Sequence, residues 1–303
     1  MSRPTRVLIS GASGQVGVDL VSWLSATPPP GADATFNPDG RAVLPGEFEV
    51  LGLSRHELDV TDAASVRRGL AMARPDVVVH LAAYTAVDQA ERDAAQCLLV
   101  NDVGTGLMSA ASASVGAHFV FVSTDYVFDG EKGDAYDERD EPRPINVYGA
   151  SKWAGEQRCG PGDTIVRTSW VMGVRGRSVV HVIADRARSG STVRFVTDQM
   201  GTVTLAADLA RALVTVARER PSGIWHVAND GATTWFELAR FVGHCVGRGE
   251  DFVEAITTDQ LVPAPLATRP RRSDLDTATW RSRWDGLPAW RVGVERLVHE
   301  RNS

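Results

Sequence analysis

Along the first half of the chain, short runs of consecutive apolar residues alternate with stretches in which apolar residues recur every three or four positions. "RVLIS" is followed by glycines and then by "QVGVDLVSWL"; the first reads as a strand and the second as an amphipathic helix. The alternation returns in "FEVLGLS" (48–54), a helical segment over 62–73, the unbroken apolar run of "PDVVVHLAA", a helix over 93–115 and the strand "AHFVFVS". Strands that are apolar throughout are buried on both faces. Repeated strand–helix units of this kind predict a Rossmann-type α/β fold, a doubly wound parallel sheet of right-handed βαβ units. "ATPPPGADATFNPDGRAVLPGE" (26–47), rich in Pro, Gly and Asp, separates the first helix from the second strand and is expected to be an exposed loop. Beyond about Thr168 the pattern loosens into helical runs such as "LAADLARALVTVARER", short strands such as "GIWHVAN" and a final helical stretch, "WRVGVERLVHE". We therefore expect a nucleotide-binding domain over 1–167, to which segments near 200–228 return, and a smaller substrate-binding domain over 168–303.

Composition narrows the partners. A net charge of −6 in 303 residues argues against a nucleic-acid partner, which requires a basic surface. No apolar run approaches the roughly 20 residues of a membrane span, and the apolar run at the N-terminus is too short for a secretory signal. Cys97, Cys159 and Cys245 are far apart and odd in number, so neither a disulfide framework nor a structural zinc site is suggested, and a reducing cytoplasm is expected. No spacing demands a metal. The tail helix around Trp290–Glu300 can dock on its own domain or on a partner, a homodimer included.

Gly11, Gly14 and Gly17 stand in "SGASGQVG", directly after the first strand and opening the first helix. Such a loop lets a pyrophosphate approach backbone amides at a helix N-terminus. The second strand ends in Ser54 and Arg55 where an NAD-binding protein would carry an acid. A hydroxyl and a guanidinium suit the 2′-phosphate of NADPH; otherwise Arg55 is a solvated surface charge, and NADH stays open. Asp59 and Val60 are placed to meet the adenine edge. In "NVYGASKWAGE", Tyr148 and Lys152 share a helical face. An unperturbed tyrosine, with a pKa near ~10, is a poor proton donor at neutral pH, and a nearby lysine charge is expected to lower that value. Tyr126, in "VSTDYVFDG", has no lysine four residues on.

These motifs together resemble the extended short-chain dehydrogenase/reductase family and, within it, the dTDP-4-dehydrorhamnose reductases. The resemblance runs through "SGASGQVG", "LDVTD", "PDVVVHLAAYTAVDQAE", "VSTDYVFDG", "YGASKWAGE", "VRTSWV", "TDQMGTVT", "GIWHVANDGATTWFELA" and "RPRRSDLD". It implies a soluble NADPH-dependent oxidoreductase that reduces the 4-keto group of a nucleotide deoxysugar. Gly11, Ser13, Gly14, Gln15, Val16 and Gly17 would hold the cofactor, with Leu81, Ala82, Ala83 and Tyr84 lining it. Tyr148 would protonate the ketone oxygen, Lys152 would hold the nicotinamide ribose, and Thr124 would hydrogen-bond the same ketone oxygen. Asn101 would organise the active-site helix. Asp125, Tyr126, Trp170 and Trp235 would shape the sugar side, and Arg269 would contact the diphosphate. Val203 stands where the family commonly has proline and Met172 where it has tyrosine; with the 26–47 insertion, these departures bear on the substrate. Two alternatives follow from the same resemblance: a ketoreductase of another deoxysugar, or a non-catalytic regulatory subunit like that of methionine adenosyltransferase, for which a degraded catalytic set would be the sign.

Overall fold

The structure, a computed structural model, describes residues 3–175 and 178–300. Six strands form one parallel sheet: β1 (Thr5–Ser10), β2 (Phe48–Leu53), β3 (Val77–His80), β4 (His118–Thr124), β5 (Thr164–Thr168) and β6 (Gly223–His226), in the spatial order β6-β5-β4-β3-β1-β2. The chain leaves β1 for β2 on one side and returns to β3 on the other, so strand order reverses next to β1. In open α/β sheets, ligands bind at the carboxyl ends of the strands beside such a reversal.

The apolar strands fill two layers, as their unbroken hydrophobicity predicts. On one face, α1 (Gln15–Leu24) lies beside the long helix Ala206–Glu219. There Leu20, Trp23, Leu209, Leu213 and Val216 close over Val7, Ile9, Val79 and Val120. The other face is covered by α2 (Ala63–Ala73) and the helix Gly104–Ser114, which pack Val66, Leu70 and Met108 against Leu8, Val78 and Phe119. A separate core joins the helices Val179–Arg188, Trp235–Cys245 and Trp290–Glu300 around Val180, Leu238, Val294 and Leu297. The tail helix thus docks on its own chain. Among the described residues, no helix is long and apolar enough to cross a membrane.

One local expectation is corrected and another is refined. The segment over 93–115 is not one regular helix. A π-helical turn, Leu99–Val103, separates Ala94–Leu98 from Gly104–Ser114 and turns Asn101 into the protein; such turns recur at functional sites. The 26–47 segment is the loop expected, with no helix or strand and half of its residues exposed, but it is anchored from beneath. Arg218 reaches into it from the long helix, pairing with Asp39 at 2.7 Å and Glu47 at 2.6 Å and donating to the carbonyls of Arg41 and Ala42. The fully buried Arg211 bonds Phe36 O, Arg41 O and the Asn37 side chain. Phe36 and Val43 pack against the sheet-side core. Pro- and Gly-rich composition reports turns, whereas the anchors that dock these turns lie some 170 residues away in sequence.

Candidate active site

Where strand order reverses, the turn after β1 meets the turn after β3. Gly11 has φ +72°, and a Cβ on it would lie 2.7 Å from Ala82 N; one on Gly17 would lie 2.5 Å from Gly11 O. Only glycine fits at either position. Gly14 is the N-cap of α1 and brings no side chain of its own to the cap, so the first-turn amides of α1 remain available to an anion. Leu81 N bonds Ser10 O, and the buried His80 ring bonds Ser10 Oγ at 2.6 Å. Burial, with the Lys152 charge, pushes that histidine down to about 3, so it is a neutral strut at the strand end.

Asn101, offered by the π turn, clasps the loop after β3. Its side chain accepts from Tyr84 N at 2.8 Å and donates to Tyr84 O at 3.0 Å and Ser151 Oγ at 2.9 Å. Asn101 therefore ties the cofactor-side loop to the helix Val147–Glu156, which is capped by the Asn146 side chain on Gly149 N at 2.7 Å. Tyr148 and Lys152 project from that helix. Lys152 is buried, donates to Val122 O at 2.7 Å and lies 4.0 Å from the Phe121 ring centroid. Burial pushes its amine down to about 7, with Glu156 opposing. Desolvation also holds the Tyr148 phenol above its ordinary value, against a hydrogen bond with Thr124. The expectation that Lys152 lowers the Tyr148 pKa is thus corrected: the ammonium is directed at a backbone carbonyl and an aromatic face, and desolvation decides the direction.

Thr124 ends β4. Its oxygen accepts from Tyr126 N at 3.2 Å, and its proton goes to Asp125 Oδ1 at 3.0 Å. Asp125 is almost wholly buried and also accepts from Ser273 Oγ at 2.6 Å. The Tyr126 ring meets Tyr148 edge-on with centroids 6.0 Å apart, and burial pushes its phenol up as well. The Trp170 and Trp235 indoles stack at 4.0 Å.

One cavity of about 1000 Å³ joins these parts. Of the residues named from the sequence, it is lined by Gly11, Ser13, Gly14, Gln15, Val16, Gly17, Arg55, Asp59, Val60, Leu81, Ala82, Ala83, Tyr84, Thr124, Asp125, Tyr126, Tyr148, Lys152, Trp170 and Trp235. Three others lie outside the lining. Asn101 acts behind the wall, through Tyr84. Ser54 is turned away: its N–H and hydroxyl donate to Glu57 at 2.8 and 2.7 Å. Arg269, expected on the diphosphate, forks onto Asp88 through two 2.5 Å bonds and donates to Ala267 O at 2.8 Å. The Asp59 carboxylate, although in the lining, is engaged by Thr61 N at 2.9 Å and Oγ1 at 2.7 Å.

Sequence reasoning missed Ser169 and Ser273, the two serines on Asp125, because neither stands at a local spacing from it. It also missed a buried pair below Lys152: Arg167 donates to Glu156 at 3.0 and 2.7 Å, and Ser123 Oγ donates to the same carboxylate at 2.5 Å. That signal was present, since Glu156 follows Lys152 by four residues and shares its helical face.

A glycine-cradled helix start at the strand-order reversal, faced by a Tyr–Lys helix across one cavity, defines the Rossmann-type architecture of the short-chain dehydrogenases/reductases. The chain belongs to the family described as RmlD substrate binding domain, which matches residues 40–303. It is 37% identical over 305 residues to a dTDP-4-dehydrorhamnose reductase of Streptomyces griseus, covering 98% of this chain and 90% of the relative. Identity to the dTDP-4-keto-6-deoxy-D-glucose reductase of Streptomyces niveus is 35%, over 91% and 90% of the two chains. The crystal structure of dTDP-4-dehydrorhamnose reductase from Bacillus anthracis in complex with NADP superposes with a TM-score of 0.84 at 32% identity, covering 97% and 98% of the two chains.

Proposed function

We propose that this protein uses NADPH to reduce the 4-keto group of a dTDP-4-keto-6-deoxyhexose, with dTDP-4-dehydro-L-rhamnose as substrate and dTDP-L-rhamnose as product. The observation that carries the reading is the Tyr148–Thr124 hydroxyl pair, set in the wall of the cavity that the glycine cradle also lines. Near-full-length relatives named as dTDP-4-keto sugar reductases supply the substrate class.

The residues fit the cofactor. The tight turn at Gly11 and Gly17 and the open first turn of α1 suit a pyrophosphate. Arg55, exposed at the cavity edge, suits a 2′-phosphate, and Ala82–Tyr84 and Lys152 would hold the nicotinamide end. NADPH, when bound, supplies the two reducing electrons. Tyr148 gives its phenolic proton to the ketone oxygen; the desolvation that raises its pKa keeps that proton in place until the oxygen gains charge. Lys152, close to neutrality in its free energy of protonation near pH 7, offers positive charge behind the helix face as the phenolate forms. The Trp170–Trp235 stack forms the sugar-side wall, and Asn101 fixes the Tyr84 loop.

The test is NADPH consumption over a panel of dTDP-4-keto sugars by the wild type and Tyr148→Phe. Preference for another 4-keto sugar would replace the substrate named here with a related one, and rapid turnover by Tyr148→Phe would sink the mechanism. The substrate class and the three free cysteines support a cytoplasmic location.

A further inference from the structure

Behind Thr124 lies a buried carboxylate whose side-chain hydrogen-bond partners are hydroxyls. Asp125 is 1% exposed; its Oδ1 accepts from Thr124, its Oδ2 from Ser273, and the Ser169 hydroxyl bonds it too. Ser273 arrives from the far end of the chain. Its N–H donates to Met200 O at 2.9 Å, Met200 N donates to Arg271 O at 2.8 Å, and Asp276 N donates to Tyr136 O at 2.8 Å. The segment 271–276 is thereby laced to both halves of the molecule, and the Ser273 hydroxyl is fixed against Asp125.

The consequence lies in counting protons. A hydroxyl has one proton to donate and two lone pairs to accept with. The Thr124 oxygen already accepts from Tyr126 N and lines the same cavity as the Tyr148 phenol. An ionised Asp125 can only accept, so it claims the Thr124 proton, and Tyr148 must then donate to Thr124. A protonated Asp125 can instead donate to the Thr124 oxygen. The Thr124 proton is then free to turn toward the ketone oxygen or toward the phenolate left once Tyr148 has given its proton away. Along this route the Thr124 oxygen receives the Asp125 proton and passes its own to the phenolate, restoring the Tyr148 phenol and leaving Asp125 as a carboxylate held by Ser273 and Ser169.

We propose that Asp125, fixed by Ser273, is a positioning residue that gates Thr124: protonated, it lets Thr124 donate to the reacting oxygens, and ionised, it withdraws that donor. This rests on the preceding reading of Tyr148 as the proton donor. Burial pushes the Asp125 carboxyl up to about 6, within reach of an ordinary assay. The groups facing it are the Tyr126 and Tyr148 phenols, which burial keeps protonated there, and Arg269 behind Tyr126. Lys152, on the Tyr148 helix, titrates separately.

The experiment is kcat against pH for the wild type, Ser273→Ala, Ser273→Thr and Asp125→Asn. It is paired with an infrared titration of the buried carboxyl stretch, which needs no turnover. In the wild type, kcat should fall as pH rises through the Asp125 range. Ser273→Ala removes a donor that favours the carboxylate, so both the kinetic limb and the infrared transition should move up by about one pH unit. Ser273→Thr should restore them. Asp125→Asn should erase this limb and leave any limb due to Lys152. An infrared transition that moves in Ser273→Ala while the kinetic limb stays put overturns the gate and leaves the Tyr148 reading intact. A limb that persists in Asp125→Asn does the same. Undiminished turnover by Tyr148→Phe overturns both.

Discussion

Trp170 and Trp235 stack with ring centroids 4.0 Å apart and planes 14° from parallel, and Gly201 lies against the Trp170 ring: a Cβ there would be 2.6 Å from it. Trp170 stands at φ +40°, a backbone region that bulky residues rarely occupy unless their surroundings impose it. Both indoles line the cavity. Gly201→Ala and Trp235→Ala should each displace Trp170 and raise KM for the nucleotide sugar by roughly 2- to 10-fold, the worth of an aromatic pair, while KM for NADPH changes little. Steady-state kinetics with each substrate varied in turn checks this; equal changes in the two KM values would show that the pair does not wall the sugar side.

Tyr148→Phe keeps the ring that meets Tyr126 edge-on and removes only the hydroxyl. We expect kcat to drop by roughly 10²- to 10⁴-fold, the usual share of a positioned proton donor. Binding of NADPH, followed by its fluorescence, should persist, because the glycine turn and Lys152 are unaltered.

Arg55 and Ser54 separate in the structure although they are neighbours in sequence. Arg55 lines the cavity, whereas the Ser54 hydroxyl is spent on Glu57. Arg55→Ala should lower the NADPH-to-NADH ratio of kcat/KM by about tenfold or more, the scale of a hydrogen bond to a charged group. Ser54→Ala should change that ratio by much less. A ratio untouched by Arg55→Ala would leave the guanidinium as a solvated surface charge.

What the sequence revealed follows the range over which its signals act. The parallel sheet was legible because strands such as "DVVVH" are apolar without alternation, and the glycine turn and the Tyr148/Lys152 pair because their partners lie within one turn of helix or loop. The pairing of Arg269 with Asp88 was not legible because the two lie 181 residues apart and bear no local mark. Ser273 was missed for the same reason, lying 148 residues from Asp125. The π turn at Asn101 adds one residue to a helix whose hydrophobic period continues on either side, so periodicity alone reads straight through it.

Acid should destabilise the fold through two buried histidines. His80 and His226 are pushed down to about 3 by burial, against about 6.5 in the unfolded chain. Between those values the unfolded chain binds more protons, so stability is full above about pH 6.5 and is lost as pH falls toward 3. Asp125 and Asp19, both raised to about 6 by burial, act in the opposite sense between the ordinary carboxyl value and 6, but each is shifted less far than either histidine. We expect Tm, followed by circular dichroism, to fall steadily from about pH 6.5 to pH 4. His226→Gln, whatever its effect at pH 7, should make that slope shallower; an unchanged slope would remove His226 from the account.

The 26–47 segment owes its docking to charges buried beneath it. Arg218 and Asp39 each retain 4% side-chain exposure, while Glu47, the second carboxylate on Arg218, retains 20%. Removing one member of a buried pair leaves the other charge without compensation, at a cost of about 3–5 kcal/mol. Arg218→Met should therefore lower the urea midpoint sharply. Glu47→Gln should cost far less, because that carboxylate keeps access to water and the amide can still accept a hydrogen bond. The double variant Arg218→Met/Asp39→Leu should recover much of the loss, since an apolar pair of similar volume removes the stranded charge. Phe36 and Val43, which pack on the same core as Leu213 and Val216, would still hold the segment in that variant. Recovery would show that the ion pair specifies how the segment docks while the apolar contacts supply most of the binding; failure to recover would make the arginine's bonds to the Arg41 and Ala42 carbonyls the dominant anchor.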